Sequence, residues 1–348
     1  MRFLCIGAGA IGTYVGGSLL AAGETVTFVE RADAVDRIRA QGMSIIRADG
    51  TELRLETVTI VATVEEALRL GDYDAAIFAV KSFHTDTVLN GLTPFLDRLP
   101  PFLSLQNGVE NEGKLEAVSG SERVIPVSVC TAIARLDRGA IQVSKLRGIG
   151  IAAAHPLSRD LYDAFTKAGL KPGLIADGTG MKWSKMISNL LSNAASAILN
   201  MTPAEVYADP DSYDLERKQL LETLAVMKAY GIPVVDLPGV PVRLLCFAIR
   251  TLPPSWGRKV LSAMIGGGRG SKMPSFYIDL HSGSRENEVE FLNGAVVRFG
   301  ERRGVPTPIN RLYYRTLTAM TEGRIAIDAF DHAPVRLFEQ LADPENLR

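Results

Sequence analysis

Short apolar runs broken by glycine fill the first half of the chain, and apolar positions at helical spacing fill the second. FLCIG near the amino terminus has no polar interruption, the pattern of a strand buried on both faces of a parallel sheet. A glycine turn, GAGAIG, leads into the helical stretch IGTYVGGSLLAAG. TVTFVE then predicts a second strand whose last residue is Glu30. YDAAIFAVKS (73–82) and PFLSLQNGVEN (101–111) repeat the design of a strand followed by a polar turn. RVIPVSVCTAIA (123–134), AIQVS (140–144) and RGIGIAAA (147–154) extend the β-rich pattern; YDAFTKAGL (162–170) reads as a helix and KPGLIAD as a last strand. From residue 178 helices take over. The predicted fold class is therefore α/β, a sheet-bearing domain over residues 1–177 followed by an all-helical domain over 178–348. GGGRGS (266–271) predicts a flexible loop in the second domain.

GAGAIG places G-x-G-x-x-G at Gly7, Gly9 and Gly12. Gly7 permits the tight turn, Gly9 lets a pyrophosphate approach the backbone, and Gly12 lets helix and strand pack closely. With a strand before it and helix, strand and acid after it, the motif predicts a Rossmann-type dinucleotide-binding domain. Gly7, Gly9, Ala10, Ile11 and Gly12 would meet the cofactor, at the free N–H groups of a helix N-terminus. A secretion signal also starts with a basic residue and an apolar run, but spaced glycines and a second strand fit a βαβ unit better. An acid at the end of the second strand suits the ribose 2′-OH of NADH, and an arginine suits the 2′-phosphate of NADPH. Arg31 makes NADPH the expectation; Glu30 keeps NADH as the alternative, unless it turns away, for instance toward Arg37. Lys81 and Asn107 follow strand ends, where ligands bind in open α/β sheets, although both are also ordinary turn residues.

MKWSKMISNLLSNAASAIL (181–199) opens the helical half and reads as one apolar helix. Lys185, Asn189 and Asn193 recur every fourth residue and so share one face. Solvated stripes normally alternate Glu and Lys, whereas this helix is Met, Ile, Leu, Ala and Ser on its other sides. A carbonyl reduced by hydride needs a proton donor, and a lysine whose pKa is lowered by burial or a second cation can serve. Lys182 and Lys81 are candidate second cations. Asn189 and Asn193 offer donors and acceptors to substrate oxygens without adding charge.

Composition narrows the partners. A chain of 348 residues exceeds the size at which single cores usually split, so two domains are expected. Lys+Arg 38 against Asp+Glu 39 gives a net charge of -1, with no basic field for nucleic acid and no Lys/Arg block for a membrane. The apolar region 239–266 is broken by Arg243, Arg250, Pro253 and Pro254 and does not read as a span. Cys5, Cys130 and Cys246 form no C-x-x-C pair and point to a reducing cytoplasm. Four scattered histidines offer no metal site. A homodimer is expected only on the general frequency of twofold assemblies.

The motifs GAGAIGTYVGG, AVKSFHTDTVL, LQNGVEN, KWSKMISN-x3-N, PSFYIDL and NEVEFLNGAVVRFGERRGVPTPIN together resemble the ketopantoate reductase family nearly end to end. The resemblance implies a Rossmann domain followed by a helical domain, and reduction of 2-ketopantoate to pantoate with NADPH on the route to pantothenate and coenzyme A. It implies that Lys185 is the general acid and that Asn189 and Asn193 hold the substrate's hydroxyl and carbonyl side. By the same resemblance Ser275 meets the carboxylate, and Glu288 binds a hydroxyl and balances Lys185. Asn107 and Lys81 orient substrate and nicotinamide, and Arg31 reads the 2′-phosphate.

Taken alone, Glu288 reads as the start of the helix EVEFLNGAVVRFGERRG, where an acid would complement the helix dipole. Val289, Leu292 and Val296 recur there at core spacing. Two features depart from the family pattern. LHSGSREN before Glu288 is one residue longer, leaving Glu286 and Glu290 as alternatives. Residues 236–270 are longer and more apolar than a compact member needs, which suits a reshaped substrate pocket or a subunit contact. A family member acting as a D-2-hydroxyacid dehydrogenase on another 2-keto acid is the close alternative. A β-hydroxyacid dehydrogenase relative or a dinucleotide-binding protein without turnover is more distant.

Overall fold

The computed structural model describes residues 1–266 and 272–342, so residues 267–271 of the GGGRGS stretch lie outside the described residues. Two compact units result: Met1–Lys182 with Asp236–Val240, and Trp183–Val235 with Pro241–Arg348.

In the first unit the strands are β1 (Arg2–Ile6), β2 (Thr25–Val29), β3 (Met43–Ile46), β4 (Glu52–Leu55), β5 (Thr59–Val61) and β6 (Ala75–Phe78). They continue with β7 (Phe102–Ser104), β8 (Val124–Val129), β9 (Ala132–Asp137), β10 (Ala140–Lys145), β11 (Ile149–Ala152) and β12 (Pro172–Ile175). Its helices are α1 (Ala10–Ala21), α2 (Ala32–Gln41), α3 (Val64–Arg69), α4 (Thr85–Leu92), α5 (Asn111–Ser119) and α6 (Ser158–Lys167). The main sheet has the order β5-β2-β1-β6-β7-β8-β11-β12. The first six strands are parallel and follow the doubly wound order, in which the chain leaves β1 for β2 on one side and resumes at β6 on the other. β11 runs antiparallel to β8 and parallel to β12. Both faces are covered: Phe3 and Cys5 of β1 enter one apolar cluster with α1, while Leu4 and Ile6 enter the other with Phe78 and Phe102. An uninterrupted apolar run is what such a strand requires.

A smaller sheet, β4-β3-β10-β9, was not anticipated as a separate layer. Its hairpin pairs Ile46 with Glu52 around Asp49 and Gly50, and Gly50 has φ +84°. Asp-Gly between alternating residues is the local signal that marks it.

α7 (Gly178–Leu190) starts in the first unit and ends in the second, which continues with α8 (Asn193–Leu199), α9 (Pro203–Ala208), α10 (Pro210–Ala229), α11 (Val242–Thr251) and α12 (Pro254–Gly266). α13 (Ser275–His281), α14 (Asn293–Arg303), α15 (Pro308–Thr321) and α16 (Pro334–Glu339) complete it. Two expected helices are interrupted. The stretch 181–199 breaks at Leu191–Ser192, where Ser192 takes φ +53°. The backbone groups freed there are caught by α10: Glu216 Oε2 accepts the Ser192 N–H at 2.7 Å, and Gln219 Nε2 donates to Leu190 O at 3.2 Å. Glu288 likewise does not open α14. It starts a separate 3₁₀ turn, Glu288–Phe291, and Leu292 with φ −108° and ψ −84° parts that turn from the helix. Val289, Leu292 and Val296 are core residues as expected. No described helix is long and apolar enough to cross a membrane.

Candidate active site

The glycine turn sits at the carboxyl end of β1. Gly7 has φ +95°, and a Cβ there would lie 3.1 Å from the backbone of Ala79 and Val80 beyond β6. A Cβ on Gly12 would fall 1.8 Å from Gly7 O, so only glycine fits. Gly9 has open space around its missing Cβ, and α1 begins with no side-chain cap and no acid in its first turn. The first N–H groups of α1, on Ala10, Ile11 and Gly12, thus have no capping side chain and no acid from the helix's own first turn, the arrangement that accepts a dinucleotide phosphate. Glu30 turns to this loop rather than toward Arg37, which pairs with Asp137 instead. Its Oε2 accepts the Ala8 N–H at 2.8 Å and its Oε1 the Arg31 N–H at 3.0 Å. The Arg31 side chain is 73% exposed and shares Asp33 with Arg138, at 3.8 and 2.6 Å. Beneath the loop the Cys5 thiol is pushed far up by burial and further by the charge of Glu30, so it is inert.

Lys81 is exposed and Asn107 half-buried in the turns after β6 and β7. A buried polar network ties these turns together. Ser82 Oγ donates to Asn107 O at 3.0 Å, and Asn111 Nδ2 donates to Asn107 O and Ser82 Oγ at 2.8 and 3.1 Å. Thr85 Oγ1 donates to Asn111 Oδ1 at 3.0 Å, while Gln106 Nε2 donates to Val80 O and Thr85 Oγ1 at 2.9 and 2.8 Å. The two turns are thus fixed by side chains rather than left loose.

Along α7, Lys185 and Asn189 are the only positions from Met181 to Leu190 that are not buried; both are half-buried, one turn apart on one face. Beyond the break Asn193 is 5% exposed. Its Oδ1 accepts the Phe276 N–H at 3.0 Å, capping α13 where Pro274 cannot, and its Nδ2 lies 3.3 Å from Ser275 Oγ. Asn193 and Ser275 are therefore joined. Glu288 is 5% exposed, whereas Glu286 and Glu290 are exposed, so the alternatives left by the longer LHSGSREN differ in burial. Asn287 secures this turn, accepting the Val289 N–H at 2.9 Å and donating to Thr321 Oγ1 at 2.5 Å.

The model of the family described as "Ketopantoate reductase PanE/ApbA" matches residues 3–155, and that of its C-terminal part matches residues 177–321. The chain belongs to the ketopantoate reductase family. It is 26% identical over 325 residues to the 2-dehydropantoate 2-reductase of Pyrococcus horikoshii, covering 92% of this chain and 97% of that protein. It is 28% identical over 333 residues to that of Mesorhizobium japonicum, covering 88% and 94%. A PanE/ApbA family ketopantoate reductase from Ralstonia eutropha JMP134 superposes with a TM-score of 0.78 at 26% identity, over 93% of this chain and 99% of that one. D-Mandelate dehydrogenase, solved with NADH and anilino(oxo)acetate, superposes with a TM-score of 0.76 over 93% and 99%; at 19% identity this is a likeness of fold alone.

Within this member of the family, one expected role is corrected. Lys182 is not a loose cation beside Lys185. It is 4% exposed, pairs with Glu112 at 2.8 Å and donates to Gln106 O at 2.6 Å, with Val127 O and Ser104 O at 3.3 and 3.4 Å. Ser104 Oγ donates to the same Glu112 oxygen at 2.7 Å. Lys182 thus binds the start of α7 to β7, β8 and α5 inside the first unit. Sequence reasoning also passed over Arg138 and Glu216. An arginine in a tight turn signals nothing alone, and a Glu buried in α10 breaks the polar-outside rule only once its burial is known.

Proposed function

We propose that this member of the ketopantoate reductase family reduces 2-ketopantoate to pantoate with NADPH, a step toward pantothenate and coenzyme A. The observation that carries the reading is the half-buried Lys185–Asn189 pair on an otherwise buried helix, with Asn193 joined to Ser275 beyond it. NADPH, when bound, supplies the hydride that turns the C2 carbonyl into an alkoxide. Lys185 Nζ gives that oxygen its proton and recovers one from solvent. Asn189 and Asn193 hold the hydroxyl and carbonyl side, Ser275 receives the carboxylate, and buried Glu288 accepts from a substrate hydroxyl and balances Lys185. Residues 1–177 serve the cofactor, through Gly7, Gly9, Ala10, Ile11, Gly12, Lys81 and Asn107, and residues 178–348 the substrate.

NADPH is favoured because both oxygens of Glu30 are engaged by backbone N–H groups, while Arg31, with Arg138 beside it, presents an exposed guanidinium. A second reading, an NADH-dependent D-2-hydroxyacid dehydrogenase acting on another keto acid, rests on Glu30 standing at the end of β2. Three buried free thiols suit a cytoplasmic location, and a homodimer through the second half is the expected assembly.

Initial rates of NADPH and NADH oxidation at 340 nm, with ketopantoate beside branched and aromatic 2-keto acids, test the reading. Efficient turnover of ketopantoate with NADPH is expected. A preference for another keto acid with NADH would replace it with the second reading, and no turnover on any would leave a dinucleotide-binding protein.

A further inference from the structure

The buried Glu216 of α10 has no part in the chemistry proposed so far, yet it lies at the break that separates Asn189 from Asn193. Fully buried carboxylates are rare unless their partners are strong. Here the partners are all donors: the Ser192 N–H at 2.7 Å and the Tyr207 hydroxyl at 3.2 Å on Oε2, and Gln219 Nε2 at 2.8 Å on Oε1. Gln219 extends the network to Leu190 O and, through its own Oε1, to Asn293 Nδ2 at 3.0 Å. Ser192 is held with φ +53°, a conformation that is strained for a non-glycine residue and persists where the surroundings enforce it. An uninterrupted helix would satisfy the Ser192 N–H by itself. Glu216 is the group that satisfies it in the broken form.

The long segment after residue 236 supplies a support for this carboxylate. α12 packs on α9 and holds its last carbonyls: Ser262 Oγ donates to Tyr207 O at 3.1 Å and Arg258 Nη1 to Ala208 O at 2.7 Å. Tyr207 is thereby fixed with its hydroxyl at Glu216.

We propose that Glu216 is a positioning residue of the substrate site. By accepting the Ser192 N–H it keeps the chain in the left-handed turn that sets Asn193 against Ser275, and α12 supports it through Tyr207. The inference rests on the proposal that Asn193 and Ser275 bind the keto acid. Burial raises the Glu216 carboxyl to about 7, against the lowering effect of its donors. The groups facing it are the Ser192 N–H between α7 and α8, Tyr207 from α9, Gln219 on its own helix and Tyr313 from α15. The Tyr313 phenol is itself pushed well up by burial and by the Glu216 charge. Glu222, a partly buried carboxyl further along α10, is occupied by the Ile309 and Asn310 N–H groups at 2.8 and 2.9 Å. The exposed Asp214 pairs with Lys218. Burial outweighs the donors, so the fold as a whole favours the neutral carboxyl, but the ionised form holds its three donors more tightly, and protonation below neutrality should loosen the turn itself.

The test is steady-state kinetics of the full chain from pH 6 to 8 for wild type, Glu216→Gln and Tyr207→Phe, with NAD(P)H binding followed by fluorescence as a check on folding. Glu216→Gln should raise the keto-acid KM about tenfold, the size of one lost buried hydrogen bond, with the KM for NAD(P)H within about twofold. Wild-type keto-acid KM should climb toward the variant's value as pH falls through about 7, while the variant's stays flat. Tyr207→Phe should fall between the two. A keto-acid KM unchanged in Glu216→Gln, or equal pH profiles in both proteins, overturns the positioning role. Wild type that turns over no keto acid overturns instead the reading on which it rests.

Discussion

Lys182 and Lys185 lie three residues apart on α7, and nothing local in the sequence tells them apart. Lys182 meets Glu112 and three backbone carbonyls supplied by residues 55 to 78 positions away, contacts that no spacing rule foretells. Lys185, by contrast, stood out as a candidate because it stands with Asn189 where an apolar helix has no structural need for polar groups, and both are half-buried on an otherwise buried stretch. Their substitutions should behave in opposite ways. Lys182→Met leaves the largely covered Glu112 carboxylate without its cation and should cost about 3 kcal/mol in urea unfolding. Lys185→Ala should stay within about 1 kcal/mol of wild type in the same measurement. A Lys182→Met protein as stable as wild type would remove the anchoring role. At the glycine turn the sequence was sufficient, since G-x-G-x-x-G states a backbone requirement directly, and the 1.8 Å approach at Gly12 is that requirement in atomic form.

Periodicity told where helices lie but not where they end inside the core. Apolar spacing continues through Leu191 and Ser192, so 181–199 reads as one helix. The break is enforced by Glu216 and Gln219, more than 20 residues downstream, which offer its backbone groups a better arrangement than the next turn would. The 3₁₀ turn at Glu288 escaped for a similar reason, since Asn287 fixes it through Thr321 of α15. The buried carboxyl carries a thermodynamic signature of its own. Because the folded Glu216 titrates at about 7, above the ordinary 4.5, its favourable contribution is fully present below the ordinary value and is lost as pH rises through 7. Unfolding free energy of wild type relative to Glu216→Gln should therefore fall by roughly 2 kcal/mol between pH 5.5 and pH 8. A pH-independent difference would mean that Glu216 titrates as an ordinary carboxyl.

Over the whole molecule, the doubly wound order of the first unit and the helical second unit followed from uninterrupted apolar runs giving way to helical spacing at residue 178. The β3–β4 hairpin and its small sheet were less legible, because β4 has a half-exposed pattern with little apolar weight. Residues 236–270 stood out as longer and more apolar than a compact member needs, and in their described part Ser262 of α12 holds the Tyr207 carbonyl. The glycine turn proposed for the nucleotide and the proposed proton donor lie in different units of one chain. The most direct measurement of the central claim is kcat for ketopantoate reduction by NADPH in wild type and Lys185→Ala, with NADPH affinity measured on both. We expect a fall of about a hundredfold or more in kcat with NADPH affinity unchanged, the scale of a lost general acid. Retained turnover, or an equal loss of NADPH affinity, would contradict Lys185 as the proton donor.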